Sequence, residues 1–253
     1  MSVRGVLVGC VPIIVFALVW ECVARMQVVP GYLFPSFSTV IVTLYGLLMS
    51  GVLLDNLASS LFRVLAGLLL GSVAGIMMGT AMGCRAVIDQ SFHPILSLLY
   101  PIPAIGWAPL LMIWIGIGES LPIMLIFLCS FFPVLYSTIT GIKGVDPDVI
   151  NAARTLGASD LLIPVTIILP LALPDIFTGL RLGAGMAWRV VIAVEMVAMI
   201  STESTGIGAL LIRSESLLRV DVIIACLIVL SVMCLTFERV FQYIETRMTD
   251  KWR

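Results

Sequence analysis

Histidine, lysine and charge in general are what this sequence has least of. Of 253 residues, 11% are charged, one is a histidine (His93) and two are lysines (Lys143 and Lys251). With 14 basic and 15 acidic residues the net charge is -1, so no basic stripe exists to neutralise phosphates and a nucleic-acid partner is excluded. A lone histidine has no second histidine at ligand spacing, and packing is the better account of it than a metal site. The cysteines (Cys10, Cys22, Cys84, Cys129, Cys226 and Cys234) form no Cys-x-x-Cys pair, and five fall in apolar stretches where cysteine behaves as a small hydrophobe. No Gly-x4-Gly-Lys-Ser/Thr loop is present, so any nucleotide energy has to come from elsewhere. The scattered carboxylates supply no paired acid and base for an enzyme, and no ring-forming charge pattern marks a passive channel.

Apolar residues are abundant instead. They make up 60% of the chain, and the mean hydropathy of +1.16 points to the bilayer as solvent. Crossing a hydrocarbon core of about 30 Å takes roughly 20 apolar residues with every backbone polar group satisfied inside a helix. Six stretches qualify: Val6 to Val23, Leu57 to Gly83, Phe92 to Ile115, Leu121 to Ile142, Ile176 to Ile200 and Val222 to Phe241. The first imitates a signal peptide and a lipoprotein box, but no small-x-small cleavage site follows it, and Glu21 and Arg25 read as an interfacial boundary. The expectation is therefore an all-α integral membrane protein, one transmembrane domain over residues 1–253. Arg4, Arg85, Lys143, Arg154, Arg239, Arg247, Lys251 and Arg253 would lie on one side, against Arg25, Arg213 and Arg219 on the other, which places both termini in the cytoplasm.

Several details within the spans carry information. Ser36 is positioned to cap a short apolar helix ending near Gly51, too short to cross and best read as interfacial, with a re-entrant segment as the alternative. Gly67, Gly71, Gly75, Gly79 and Gly83 recur every four residues and make a groove without side chains, suited to packing within the subunit more than between subunits. Pro101, Pro103 and Pro109 in the third stretch and Pro133 in the fourth predict kinked or discontinuous helices. Pro101 and Pro103 mark either a solute pathway or simple packing kinks. Arg189 and Glu195 are charges inside the fifth stretch, six residues apart and hence on different helical faces. They are candidates for lining a pathway or for structural pairing, Glu195 with another part of the subunit or of a dimer. Arg63 and Arg181, closer to span ends, read as interfacial anchors that snorkel.

The segment from 143 to 170 carries the most specific signal. Asp146 suits an N-cap, Pro147 the first helical position, Asp148 the positive helix end and Gly157 a left-handed stop, with a second short helix expected from Ser159 to Leu169-Pro170 and bent at Pro164. The string Asn151-Ala152-Ala153, then Gly157, then Ile167-Ile168-Leu169-Pro170 resembles the Glu-Ala-Ala loop of permease subunits in binding-protein-dependent ABC importers. Every spacing of that pattern is kept, and the one departure is Asn151 at the glutamate position. Leu33-Phe34-Pro35-Ser36, Pro101-Ile102-Pro103, Gly116-Ile117-Gly118-Glu119, Thr178-Gly179-Leu180-Arg181, Glu195-Met196 and Gly206-Ile207-Gly208 extend the similarity to the nitrate, taurine, alkanesulfonate and bicarbonate subgroup.

That resemblance implies a type I importer permease with six transmembrane helices in the cytoplasmic (inner) membrane, not itself an enzyme. It further implies docking of Asn151, Ala152, Ala153, Arg154 and Gly157 on a separate ABC ATPase dimer that uses ATP and magnesium, while this chain holds no cofactor. A second permease copy, as homodimer or related heterodimer, and an extracytoplasmic solute-binding protein complete the implied assembly. The implied cargo is a small oxyanion, with an uncharged small heterocycle as the alternative.

Overall fold

A computed structural model of the chain describes residues 3–159, 162–198 and 205–249. Among the described residues all regular structure is helical: ten α-helices, one 3₁₀ turn (Ala104–Trp107) and one π turn (Pro164–Ile168). Helix α1 (Val3–Arg25) leads through a turn to the short apolar α2 (Phe37–Met49), whose first turn is capped by Ser36 accepting from the Thr39 amide at 3.3 Å. Glu21 of α1 also receives the Ser38 amide and hydroxyl at 3.0 Å each while pairing with Arg25 at 2.8 Å. The boundary charges of the sequence thus tie α1 to α2.

The body of the bundle is α3 (Val52–Cys84), α6 (Ser120–Lys143), α8 (Leu169–Ala198) and α10 (Val220–Thr249). Four helical stretches built on these are long and apolar enough to cross a membrane, and a fifth exists if α4 (Ala86–Leu99) and the following Ala104–Ile115 segment count as one broken span. Helix α6 lies between α3 and α8, and glycines set both distances. A Cβ on Gly75 would stand 2.9 Å from the Phe131 carbonyl, one on Gly79 2.7 Å from Thr138 Cβ, and one on Gly179 of α8 2.7 Å from Ser137 Cβ. The five-glycine groove is therefore packing within the subunit, and its partner is α6. Trp188, Val64, Ile126, Ile207 and Leu211 fill the core beside it.

The discontinuity expected of the third stretch is present, while other expectations need correction: α4 stops at Leu99, Tyr100 to Pro103 break the helix, and after one tight turn (Ala104–Trp107) α5 (Ala108–Ile115) leaves at 87°. Pro101 and Pro103 lack the amides a continuing helix needs, and Pro103 takes an extended backbone (ψ 136°). Pro133, by contrast, leaves α6 one continuous helix. The second short helix of the 143–170 segment is a widened π turn (Pro164–Ile168), in which the Leu169 amide reaches the Pro164 carbonyl, and it runs straight into α8. The fifth apolar helical stretch thus starts at Pro164 and not at Ile176, the extra residue per turn accommodating the proline-rich entry. Finally, Arg63 does not snorkel: its side chain is fully buried. Ile200, Lys251 and Arg253 of the sequence reading lie outside the described residues.

Candidate functional site

Three separate places gather the candidate residues. The first is α7 (Pro147–Thr155). Asp146 accepts the Asp148 amide at 2.8 Å, Pro147 opens the helix, and Arg154 sits in its last turn. At the far end Gly157 turns left-handed (φ 88°), its amide bonds the Arg154 carbonyl at 3.0 Å, and the Ala158 amide reaches back to Ala153 at 3.0 Å. This pair of bonds is a Schellman stop, and it needs a residue that tolerates positive φ. Ile150 and Ala158 pack against Val145 and Ile163, so the helix is seated on one side. No residue of α7 is buried; Asn151, Ala152, Arg154 and Gly157 are exposed, Ala153 is half-buried, and Leu156 beside the stop is 89% exposed. The structure thus presents a rigid, capped helix with small residues and a bare leucine facing outward.

The second place is the break in the third stretch. Pro101, Pro103, Trp107, Phe132, Pro133 and Met186 line an apolar hollow of about 310 Å³ between the break, α6 and α8. One turn further along α8, Arg189 is exposed on a neighbouring cavity of about 400 Å³ shared with α10. Met186 lines both. Arg189 and the two prolines therefore sit near one another, along the same side of α8.

Glu195 goes elsewhere. It is completely buried and bonds Arg63 of α3 at 2.6 Å, Ser60 Oγ at 2.9 Å and the Gly208 amide at 2.9 Å. Arg63 in turn donates Nε and Nη2 to both oxygens of Glu119, at 2.7 and 2.5 Å, and Nη1 to the Thr205 carbonyl at 2.7 Å. Asn56 Oδ1 and Ser60 Oγ accept the next free amides of α9 (Ile207–Ser216), from Gly206 at 2.8 Å and Ile207 at 2.9 Å. The Gly206, Ile207 and Gly208 amides at the start of α9 are thereby satisfied by side chains from α3 and α8. Close approach explains Gly206 and Gly208, since a Cβ on either would stand 2.6 Å from Glu195 atoms. Glu119 is the outer member, with a side chain 63% exposed, and the Arg63 guanidinium holds its carboxyl below the usual range. Glu195 is thus a structural tie between α3, α8 and α9, not an exposed pathway residue. Sequence reasoning missed Arg63, Ser60, Asn56 and Glu119. The signal was there: Asn56, Ser60 and Arg63 continue the face of α3 that Gly67 and Gly71 occupy.

The profile of the binding-protein-dependent transport system inner membrane component family matches residues 71–250. The chain belongs to that family. It is 38% identical over 234 residues to an ABC transporter permease protein of Methanocaldococcus jannaschii, covering 91% of this chain and 86% of that one. It is 33% identical to the taurine transport system permease protein of Escherichia coli, covering 93% and 86%. With an aliphatic sulfonates transport permease protein of Bacillus subtilis the identity is 30%, over 96% and 86%. Among solved structures, the MetNI methionine ABC transporter in an inward-facing form shares the fold, with a TM-score of 0.65 at 16% identity over 75% of this chain and 93% of that one. The family and the fold agree: the chain is a multi-pass ABC importer permease.

Proposed function

We propose that the chain forms half of a translocation pathway for a small oxyanion, paired with a second copy, loaded by an extracytoplasmic binding protein and driven by a separate ATPase dimer. The observation that carries this reading is α7: a helix capped at both ends, seated on the bundle by one side, with Leu156 standing 89% exposed beside its stop. An apolar residue that bare on a rigid element suits a protein partner that covers it. Asn151, Ala152, Ala153, Arg154 and Gly157 form its docking surface, the alanines permitting close approach. ATP and magnesium are handled by the partner.

The basic residues flanking the spans favour six transmembrane helices with both termini and α7 on the cytoplasmic face of the cytoplasmic (inner) membrane, α1 being the first of the six. The broken segment with Pro101 and Pro103 then lies where irregular backbone is tolerated, against a water-accessible path, and Arg189 supplies the positive charge for the cargo. Relatives named for taurine and for aliphatic sulfonates support an oxyanion as the cargo class. Valine at Gly157 cannot hold φ 88° without strain of about 1–2 kcal/mol, which would displace the stop. Coexpression of Gly157→Val with the ATPase is expected to cut its copurification and ATP-dependent uptake by about tenfold or more. Unchanged copurification and uptake would overturn the coupling role.

A further inference from the structure

Toward its C-terminal end α10 divides its charges between two sides. Glu238 and Glu245 share one side with Phe237 and face α8. Phe237 and Glu238 line the cavity there, the Trp188 ring meets Phe237 edge-on with centroids 5.2 Å apart, and Glu245 pairs with Arg181 at 3.3 Å. The opposite side carries Val232, Leu235, Thr236, Arg239, Val240 and Tyr243, which line a shallow groove of about 480 Å³, and Arg247 follows one turn on. Spacings of three and four residues keep these side chains in one stripe. No acidic residue falls on that stripe between 232 and 247.

The basic groups of the stripe are ordered and unanswered. The Arg247 guanidinium lies over the Tyr243 ring, 5.6 Å from its centroid, and its Nε donates to the Tyr243 hydroxyl at 3.1 Å. Its terminal nitrogens, and the whole of Arg239, join no ion pair or hydrogen bond with the described residues. Arg239, Tyr243 and Arg247 are exposed, as are Val232, Leu235 and Val240.

Measured against the span, this order matches one leaflet of a bilayer. The apolar stretch from Val222 to Phe241 ends just past Arg239, so Tyr243 and Arg247 stand beyond it, at the end that the basic residues assign to the cytoplasm. Val232 lies at the middle of that stretch. From there to Tyr243 the helix rises about 16 Å, against about 15 Å for half of the hydrocarbon core. Apolar, then aromatic, then basic is the sequence of acyl chain, interface and phosphate in a single lipid. A neutral headgroup brings a cation of its own, and the stripe has no carboxylate to answer it.

We propose that this side of α10 binds an anionic phospholipid of the cytoplasmic leaflet, its charged headgroup held by Arg239 and Arg247 and an acyl chain lying along Val232, Leu235 and Val240. The site takes its membrane side from the importer reading above and draws on neither the cargo nor the coupling.

The test uses the purified permease and ATPase complex in neutral detergent, supplied with phosphatidylglycerol, phosphatidylcholine or inorganic phosphate, and reads retained lipid by native mass spectrometry. An arginine near an anionic headgroup contributes about fivefold in affinity, so the wild type is expected to hold phosphatidylglycerol at least about tenfold more tightly than phosphatidylcholine. Arg239→Gln combined with Arg247→Gln should abolish that preference, the corresponding pair of lysine substitutions should keep it, and ATPase copurification checks that each variant folds. If the glutamine pair fails to copurify, Arg239→Gln and Arg247→Gln singly should each lower the preference by about fivefold, and no change in either overturns the proposal. Equal retention of the two lipids by the wild type, or a preference that survives the glutamine pair, overturns it. So does release of the lipid by equimolar inorganic phosphate, which would leave a phosphate site only. Crosslinking of Leu235→Cys to a second permease copy or to the ATPase, beyond what the native thiols give, would assign the groove to a protein and equally overturn it. ATP-dependent uptake by the full transporter, measured separately, reports on the importer reading, which can stand when the lipid site falls.

Discussion

Arg63 carries a full charge to a place water does not reach, and it is stable there because two carboxylates and a carbonyl use its donors. The members of this cluster are unequal. Glu195 is completely buried, so removing Arg63 strands a carboxylate inside the bundle, and Arg63→Ala is expected to cost about 3–5 kcal/mol, read as loss of the folded fraction in thermal or denaturant titration. Glu119 is mostly exposed, so Glu119→Gln should leave the bundle folded and loosen only the loop before α6. That loop has a defined pH response. The folded Glu119 carboxyl sits below its unfolded value, so the hold on Arg63 is complete above the usual glutamate range and is lost as pH falls through the lowered value. Opening of residues 116–119, read by amide exchange corrected for its intrinsic pH dependence, should therefore become easier as pH falls from the usual glutamate range through the lowered value; opening that does not change with pH over that interval would contradict the pairing. At α7, Leu156→Asp should leave the fold intact, since the residue is 89% exposed. It should weaken ATPase association by about 2 kcal/mol or more, measurable as a shift in Kd.

At the scale of elements, glycine decides how α3, α6 and α8 stack. The five-residue groove was legible in the sequence because a period of four keeps side-chain-free positions on one face, but its occupant was not, since spacing fixes closeness and not identity. Gly75→Leu is expected to push α3 off the Phe131 carbonyl, where even a Cβ would sit at 2.9 Å, and to destabilise the bundle by about 1–3 kcal/mol or more. Thermal aggregation of the purified subunit measures it. The cap, first-turn proline and glycine stop of α7 were all readable, because each is a local rule acting within a few residues. The 87° turn after Leu99 was only half readable: Pro101 and Pro103 announce a break, but the direction of the next helix comes from what Trp107, Ala108 and Leu111 pack against. The π turn before α8 was not readable, as nothing in a proline's position separates a stopped helix from a widened one.

For the whole molecule, apolar length and charge placement made a multi-pass helical protein legible, and the loop spacing made the family legible. The ties that hold the bundle together were hidden. Glu195, Gly206, Gly208 and Glu119 stood in strings that are individually weak, and they converge on Arg63 only in three dimensions, across up to 142 residues of sequence between partners. Long-range pairing of this kind leaves no local period to find. The molecule that results has a fixed bundle, a broken segment beside two cavities, and at one end a rigid helix with a bare leucine. The π turn (Pro164–Ile168) runs straight into α8, which lines both cavities, so α8 is the element through which movement near its entry reaches them. The most direct measurement is solute uptake into proteoliposomes holding the permease, its ATPase and its binding protein, with and without ATP, for the native chain and for Leu156→Asp. Uptake that requires ATP in the native chain and falls to the ATP-free level in the variant is the expected result; uptake that proceeds equally without ATP, or is untouched by the variant, would contradict it.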